Sequence, residues 1–359
     1  MKQFIIFTLL TVSYISLSQT PVNHKAKAEV YFEKGNFKEA IKSLNLALKI
    51  NPKDEKALRS RAMSYERLEQ FDLAVKDNLE LLKVDKSGRT FGSIGYDYLW
   101  LEKYDEAREY LNQAIILTPT DIIFRYNKAL TYQYQNNFDL AIKSYDEALK
   151  VEPNHKPSLI SKTRCLLKSK LFDKASIIVD SFFTQKKFDV EMLLLRGDIK
   201  KHYGKIEDAL NDYNRAISIQ PEDLNLLDRA AKCLNELGLY EEEVELRKRD
   251  LDLQFKNGEN KESKALSFAT LAIAQEAAGY FEDALLNYDE SIKLETTGGD
   301  GRIYFIRCIL KAKMKDFEGA CKDLAKTKEL NPTDALDYDQ YFEEDEEFEE
   351  FVKYCMPNP

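Results

Sequence analysis

The chain is short of the two residues that turn a backbone most easily. Its 359 residues contain only 13 glycines and 9 prolines, which is about half of the usual share. Sandwiches and barrels need glycine and proline between their many short strands, so the shortage argues against an all-β fold. Cysteine is also scarce, and five cysteines in a chain of this length exclude a small scaffold held together by disulfides.

Aromatic and charged residues are plentiful instead. The 20 Phe and 20 Tyr residues exclude a disordered chain, which could not carry so many large apolar side chains. Hydrophobic residues make up 44% of the chain and charged residues 32%, and both values suit a soluble, folded protein. The class that remains is a large helical protein.

The first eighteen residues have the pattern of a secretory signal peptide. Lys2 supplies a basic start, residues 4–15 form an uncharged apolar run, and Ser16 and Ser18 are the small residues that a cleavage site requires. The run is too short for a comfortable transmembrane helix, although an uncleaved anchor is the alternative. We therefore expect export to the periplasm or the extracellular space, with no transmembrane segment left after cleavage.

The net charge of −9 is concentrated near the C-terminal end, where residues 335–359 contain nine acidic residues and one Lys. The chain between the signal peptide and this segment is nearly neutral and has no basic stripe, which argues against binding to nucleic acid. Aromatic residues recur at helical spacing among the acids. The pattern predicts an acidic C-terminal capping helix with one face on the preceding helices and one in water.

A repeat of 33 or 34 residues runs through the chain. An aromatic residue or Ile stands three positions before an alanine in eight copies, and these alanines are Ala40, Ala74, Ala107, Ala141, Ala175, Ala209, Ala284 and Ala320. Small residues stand twelve positions upstream, at Ala28, Ala62, Gly95, Ala129, Thr163, Gly197, Ala231, Ala272 and Cys308. Two helices approach closely only where small residues meet, so both series predict antiparallel helix pairs. One pair cannot bury its apolar face alone, so the pairs must stack.

These two series resemble those of the tetratricopeptide repeat (TPR) family, over roughly residues 21–334. The resemblance implies an all-α fold, a right-handed α-solenoid of antiparallel helix pairs (a TPR superhelix) with a C-terminal capping helix. Nine repeats would begin at Pro21, Glu55, Gly88, Ile122, Lys156, Val190, Leu224, Ala265 and Gly301. The chain then divides into a signal peptide (1–18), repeats 1–7 (21–254), a polar insertion (255–264), repeats 8–9 (265–334) and the acidic cap (335–359).

The seventh copy departs from the pattern. Glu243 takes the place of the alanine, and Arg247 and Asp250 occupy positions that are usually buried. We expect a shift of one residue that turns Val244 and Leu251 inward instead. The polar insertion at 255–264 follows, and it is interpreted either as a hinge or as a longer loop.

The sequence contains no pattern of catalytic or metal-binding residues. The three histidines are scattered and form no H-E-x-x-H motif, and the five cysteines form no C-x-x-C motif. Cys308 and Cys321 lie on the two helices of one repeat, so they are candidates for a disulfide in an oxidising compartment. We therefore expect no enzyme activity, no cofactor, no metal site and no small-molecule substrate.

In the TPR family the first helices line a concave groove, and five positions of each first helix point into it. The resemblance places a partner-binding groove at Arg59, Met63, Tyr96, Trp100, Tyr126, Gln133 and Tyr134. Other groove positions hold Arg67, Leu99, Asp198, Lys201, Asp228 and Lys232. Aromatic and Arg side chains suit a hot spot for peptide binding. The alternative is that the rings fill space between neighbouring first helices.

Co-chaperones of this family grip a C-terminal carboxylate, but their clamp is not reproduced here. The first repeat has Lys25 but Glu29, and the third has Gly92 and Tyr96 at the corresponding positions. We expect a non-enzymatic exported scaffold that binds a protein or peptide in its concave groove. The alternative is an architectural component of an envelope assembly that self-associates through the solenoid edge or the acidic cap.

Overall fold

The computed structural model describes residues 21–184, 189–294, 301–332, 335–343 and 346–355. The predicted signal peptide lies outside these residues. The described chain contains twenty α-helices, a short 3₁₀ segment and no strand. The all-α fold class predicted from the sequence is therefore confirmed.

Eighteen of the helices form nine successive pairs, each made of a first and a second helix joined by a turn of three or four residues. The helix pairs are α1 (Pro21–Glu33) with α2 (Phe37–Ile50), α3 (Glu55–Glu66) with α4 (Phe71–Leu82), α5 (Gly88–Trp100) with α6 (Tyr104–Leu117), α7 (Ile122–Tyr134) with α8 (Phe138–Val151), α9 (Lys156–Lys168) with α10 (Phe172–Thr184), α11 (Val190–His202) with α12 (Ile206–Ile219), α13 (Leu224–Glu236) with α14 (Tyr240–Lys256), α15 (Lys261–Ala277) with α16 (Phe281–Leu294), and α17 (Arg302–Lys313) with α18 (Phe317–Leu330).

Every second helix begins at the aromatic residue or Ile of the repeated pattern. The residue two positions earlier always has a positive φ, and it is Gly in four helix pairs, as at Gly35 and Gly204. Glycine adopts this left-handed conformation without a steric penalty, which explains its recurrence in the turns. The first helices also begin where the sequence predicts, except that α15 begins at Lys261 and α17 at Arg302.

The two small-residue series lie in the core, as predicted. The eight repeated alanines are fully buried, and the upstream small residues are buried as well. Gly197 illustrates the need for small size, because an added Cβ would lie 2.5 Å from the ring of Tyr213. Close approach of the two helices of a pair thus depends on these positions.

The chain divides into two compact units, residues 1–178 and 179–359. The division falls within α10 and not at the polar insertion. In the first unit, one core cluster surrounds Leu99, Leu111 and Tyr145. In the second unit, a core cluster surrounds Tyr213 and Leu226.

The shift of one residue that we expected in α14 is wrong. Glu243, Arg247 and Asp250 are each at most 7% exposed, together with Val244, whereas Leu251 is only partly buried. The helix therefore keeps the register of the other repeats and buries three charged side chains.

Hydrogen bonds explain how these charges are tolerated. Asn235 Nδ2 donates to Glu243 Oε2 at 2.8 Å, and Arg247 Nη1 donates to Asp228 Oδ1 at 2.8 Å. Arg247 Nε forms an ion pair with Glu243 at 3.5 Å but has no hydrogen-bond partner among the described residues. Ser267 Oγ, from α15, donates to Asp250 Oδ2 at 2.7 Å. A buried charge remains acceptable when partners of this kind replace its hydration.

The polar insertion is helical for most of its length, so the interpretation as a longer loop is wrong. Residues 255 and 256 end α14, residues 261–264 begin α15, and only Asn257–Asn260 separates the two helices. The Asn260 side chain accepts a hydrogen bond from the Ser263 backbone N–H at 2.8 Å and thereby caps α15. The insertion lengthens both helices to 17 residues, and the hinge interpretation stays a prediction.

The acidic cap is not the single helix that we expected. Its described residues form α19 (Ala335–Glu343), a 3₁₀ segment (Glu346–Phe348) and α20 (Glu349–Cys355). Phe342, Phe348 and Phe351 are at most 1% exposed and pack against Phe305 and Phe317 of the last helix pair. Bending the segment lets three rings face the same core.

A disulfide joins the cap to the last helix pair, but it uses a different cysteine from the expected one. Cys321 of α18 is bonded to Cys355 of α20, with the Cα atoms 5.4 Å apart. Cys308 is a buried free thiol and occupies one of the small-residue packing positions. The predicted Cys308–Cys321 pair is therefore wrong, because the folded-back cap brings Cys355 to Cys321.

Candidate functional site

Five aromatic side chains form a continuous cluster in the first unit. Trp100 stacks on Phe71, with ring centroids 6.0 Å apart and planes 15° apart. Tyr96 lies edge-on to both, at 6.1 Å from Trp100 and 6.3 Å from Phe71. Tyr134 lies 6.3 Å from Trp100, and Tyr104 lies 6.4 Å from Tyr134. We call these five residues the aromatic cluster.

The repeat architecture assembles the aromatic cluster. Trp100 and Tyr134 are the last residues of the first helices α5 and α7, whereas Phe71 and Tyr104 are the first residues of the second helices α4 and α6. The short turns within the pairs bring such ends together, so rings from successive repeats come into contact. Each favourable ring pair is worth about 0.5–1.5 kcal/mol, which restrains the orientation of the exposed rings.

Part of the aromatic cluster faces solvent. Trp100 and Tyr134 are both 44% exposed, and Met63 of the neighbouring first helix α3 is 36% exposed. Tyr96 is partly buried. Exposed aromatic rings that pack against neighbouring rings suit a contact surface for another polypeptide.

Arg59 is held by its own chain. Its Nη2 donates to Asp85 Oδ2 at 2.5 Å, and Thr90 Oγ1 donates to the same oxygen at 2.7 Å. Burial raises the pKa of Asp85, but hydrogen bonds from Thr90, Ser87 and Arg59 outweigh that effect and hold the pKa below its usual value. Arg59 therefore ties α3 to the turn before α5.

Tyr126 and Gln133 belong to a second, less exposed group. The Tyr126 ring lies 5.9 Å from the ring of Tyr145 and 5.5 Å from that of His155. Gln133 Oε1 accepts a hydrogen bond from the Tyr145 hydroxyl at 2.6 Å. Both predicted site residues are partly buried, so part of each side chain contacts its own chain and part faces solvent. Leu99, another groove position, is 1% exposed.

A buried carboxyl group lies next to the aromatic cluster. Asp97 is 0% exposed. Its Oδ2 accepts a hydrogen bond from Asn78 Nδ2 at 2.8 Å, while its Oδ1 has no partner among the residues that the structure describes. Burial, followed by the nearby charge of Glu66, raises the pKa of Asp97 to about 8 against the opposing effect of Asn78. Asp97 is therefore mostly protonated at neutral pH.

Sequence reasoning missed three of these residues. Phe71 and Tyr104 stand at the aromatic position of the repeated pattern, so the pattern itself contained the signal that they meet the ends of first helices. Asp97 carried a weaker signal, because it lies between Gly95 and Leu99 on α5, and both of these residues are buried.

The second unit contains a polar cavity at several of the other predicted groove positions. Its volume is about 380 Å³, and its lining is Lys201, Tyr213, Asn225, Asp228, Arg229 and Lys232. Asp198, a further groove position, lies directly behind Arg229 and is ion-paired with it. Arg229 was not predicted.

Lys25 of the first helix pair is engaged in an ion pair. Lys25 Nζ lies 2.6 Å from Asp54 Oδ2, and the Lys25 side chain is 27% exposed. Within the described part of the chain, no group of three or more His, Cys, Asp or Glu residues could hold a metal ion. None of the described helices combines the length and the apolar character needed to cross a membrane.

Comparisons with known proteins identify tetratricopeptide repeats in three parts of the chain. Family profiles described as tetratricopeptide repeat match residues 123–155 and 190–223, and a profile described as TPR repeat matches residues 28–68. The chain is 20% identical to human DnaJ homolog subfamily C member 7 over 272 residues, which is 68% of this chain and 54% of the relative. It is 20% identical to bovine BBSome complex member BBS4 over 320 residues, or 87% and 59% of the two chains.

Among solved structures, PilW, described as a widely conserved type IV pilus biogenesis factor, superposes with a TM-score of 0.51 at 21% identity. The match covers 60% of this chain and 98% of PilW. The chain spans just over half the length of the curated relatives it matches. The profiles and the helix pairs together support a TPR repeat protein with the all-α TPR fold.

Proposed function

We propose that this chain is an exported, non-enzymatic TPR scaffold that binds a protein or peptide partner in a groove lined by its first helices. Its nine helix pairs would be nine TPR repeats. The observation that carries the proposal is the aromatic cluster, in which Trp100 and Tyr134 are held by neighbouring rings and yet remain 44% exposed.

The physical reason for this choice is the cost of binding. A side chain that is already fixed loses little conformational freedom when a partner covers it, so more of the contact energy becomes affinity. The relatives agree with a partner of this class, since BBS4 is by its name a member of a complex. A protein partner is our proposal for this chain.

The disulfide supports export. Disulfides persist in oxidising compartments such as the periplasm and the extracellular space, and Cys321 is bonded to Cys355 here. The signal-peptide pattern in residues 1–18 points to the same destination.

The test is capture of partners from the native envelope or secreted fraction by the full chain, quantified by mass spectrometry. A double variant, Trp100→Ala with Tyr134→Ala, should weaken capture by about 2–4 kcal/mol in total, because hot-spot aromatics cost that much when truncated. Circular dichroism should show unchanged helicity, since both rings are partly exposed.

A matched control keeps the number of aromatic truncations constant. Tyr203 and Tyr280 are 45% and 44% exposed but lie outside the aromatic cluster, and their joint replacement by Ala should leave capture unchanged. Equal capture by the wild type and the Trp100/Tyr134 variant would refute the proposal.

Self-association through the cap is the second candidate, in which the exposed Glu347, Glu349 and Glu350 would contact basic residues of a second copy. Deleting the cap would expose Phe305 and Phe317 and break the disulfide, so truncation is a poor test. Replacing the three acids with Gln and measuring mass by light scattering isolates their effect. Loss of an oligomer in this variant would favour self-association, whereas a monomeric wild type would refute it.

A further inference from the structure

The polar cavity of the second unit lies at predicted groove positions but contains none of the residues of the aromatic cluster. It lies among α11, α12 and α13 and has a volume of about 380 Å³, near the lower end of the range for ligand-binding pockets. Two charged side chains of opposite sign, Asp228 and Arg229, stand side by side in its wall. Arg229 is paired with the partly buried Asp198, and Asp228 with the buried Arg247.

Arg229 is a fixed cation. Its Nη1 is paired with Asp198 Oδ1, and its Nε donates to Asn225 Oδ1 at 3.1 Å. Asp198 also accepts a hydrogen bond from the hydroxyl of the buried Tyr213 at 2.7 Å. An Arg side chain has five N–H donors, and that of Arg229 is 35% exposed, so it keeps donors for a ligand.

Asp228 is a fixed anion. Its Oδ1 accepts a hydrogen bond from Arg247 Nη1 at 2.8 Å, and its Oδ2 accepts one from Lys232 Nζ at 2.7 Å. Burial raises the pKa of Asp228, but the bonds to Lys232 and Arg247 outweigh it and hold the pKa below its ordinary value. The carboxylate is therefore charged at neutral pH, and its oxygens have about four acceptor sites in total.

The irregular seventh copy supports this wall. Arg247, whose side chain is only 8% exposed, replaces an ordinary core residue and reaches Asp228 from behind. Glu243, which replaces the repeated alanine, lies 3.5 Å from Arg247 Nε and balances its charge. The two departures from the repeat pattern thus act together to fix a carboxylate at the cavity surface.

Ion pairs at the rim are weaker and can exchange with a ligand. Lys201 Nζ lies 2.6 Å from Glu236 Oε1, and the two side chains are 32% and 44% exposed. Pairs at this level of exposure contribute little to stability. Lys201 is consequently available to a ligand at a small cost.

We propose that this cavity binds a polypeptide segment in which an acidic residue is next to a basic one. The acidic side chain contacts Arg229 and Lys201, and the basic side chain replaces the exposed Lys232 at Asp228 Oδ2. A ligand with charges of only one sign would place a like charge against Asp228 or Arg229, so the fixed pair selects against it. A free α-amino acid presents the same adjacent carboxylate and ammonium groups, and the experiment distinguishes these two sources.

Fluorescence anisotropy with the full chain tests the proposal. The probes are labelled hexapeptides Gly-Ser-X-X-Ser-Gly with Glu-Lys, Gln-Gln, Glu-Glu or Lys-Lys at the centre. The Glu-Lys peptide should bind at least tenfold more tightly than the other three. Asp228→Asn and Arg229→Gln should each weaken its binding about tenfold, whereas Lys248→Gln, an exposed change on α14 outside the cavity, should have no effect.

A variant of Arg247 must distinguish its role in positioning Asp228 from its role in the stability of the fold. Arg247→Met should weaken binding of the Glu-Lys peptide, and combining it with Asp228→Asn should weaken binding no further, because both changes remove the same contact. Thermal unfolding monitors the fold of each variant. Asp228 and Arg229 are partly exposed, so their variants decide the question even where Arg247→Met is unstable.

The outcomes are distinct. If millimolar alanine displaces the peptide, the cavity binds a free amino acid. If it does not, the ligand is a peptide. Equal affinities for the Glu-Lys and Gln-Gln peptides, or wild-type affinity in both cavity variants, would overturn the proposal. The Trp100/Tyr134 variant should bind the peptide normally, so failure here and failure of the proposed aromatic groove are separable.

Discussion

Replacement of Asp97 by Asn should change how the stability of the first unit depends on pH. The carboxyl group is fully buried and one of its oxygens has no partner among the described residues. Its pKa is about 8 in the folded protein, against 3.8 as the ordinary value. Between these two values the folded state binds a proton that the unfolded state has released, so the free energy of unfolding falls as pH rises.

The size of the effect follows from the width of this interval. Each pH unit inside it costs about 1.36 kcal/mol, so the three units from pH 5 to pH 8 amount to about 4 kcal/mol. Movement of water towards the carboxylate would reduce the loss, and we expect about 2–4 kcal/mol. Asparagine has the shape of the protonated acid but cannot ionise. The stability advantage of Asp97→Asn over the wild type should therefore grow by this amount between pH 5 and pH 8.5.

The assay is urea unfolding followed by the fluorescence of Trp100. This is the only Trp in the chain, and it lies three residues from Asp97, so its signal reports on the first unit. Asp72→Asn is the matched control, because the Asp72 side chain is 65% exposed. A difference between wild type and Asp97→Asn that stays constant within about 0.5 kcal/mol from pH 5 to pH 8.5 would refute a protonated Asp97.

Two further predictions concern packing and the disulfide. Ala141→Trp should lower the free energy of unfolding by at least 1–3 kcal/mol, because Ala141 is fully buried at a helix crossing. Lys143→Glu, on the exposed side of the same helix, should change it little. Equal melting temperatures of the two variants would contradict this register. Cys355→Ser should destabilise the second unit by about 3–4 kcal/mol, as expected for a cross-link between residues 34 positions apart. Dithiothreitol should lower the melting temperature of the wild type but not of this variant. A wild type that is insensitive to reductant would show that Cys321 and Cys355 are not bonded.

The helix pairs were predictable because steric rules repeat with the sequence. An alanine such as Ala141 and a glycine such as Gly197 mark where two helices touch, and small side chains are favoured there. Each copy of the pattern is an independent observation of the same rule. The starts of seven of the nine first helices were therefore predicted to the residue, and only α15 and α17 begin elsewhere.

The charged interior of the seventh copy was not predictable in the same way. Burial of Glu243 and Arg247 depends on partners from other helices, such as Asn235 and Asp228, whose distances no repeat spacing reveals. From the sequence, a slip of the helix was the cheaper explanation, because an unpaired buried charge is very costly. Only the three-dimensional arrangement shows that the pairing exists.

The sequence predicted some residues of the candidate site but not the contacts that hold them. The resemblance identified Trp100 and Tyr134 as groove residues, and both are exposed. It could not show that Arg59 is engaged by Asp85, since a side chain with this reach has several partners within range. The sequence also did not identify Cys355 as the disulfide partner of Cys321, because the two cysteines approach each other only when the cap folds back on α18.

The cross-helix bonds of α14 have a consequence for how arrays of this kind change length in evolution. A module whose contacts are all small apolar side chains can be duplicated or deleted, and its neighbours then meet an equivalent surface. The seventh module differs from such a module, because its Asp250 depends on Ser267 of the next one, as Asp97 of the third module depends on Asn78 of the second. Insertion or loss of a module at either junction would leave a buried carboxyl group without its partner, so the array can grow or shrink more readily where neighbouring modules share no such bond.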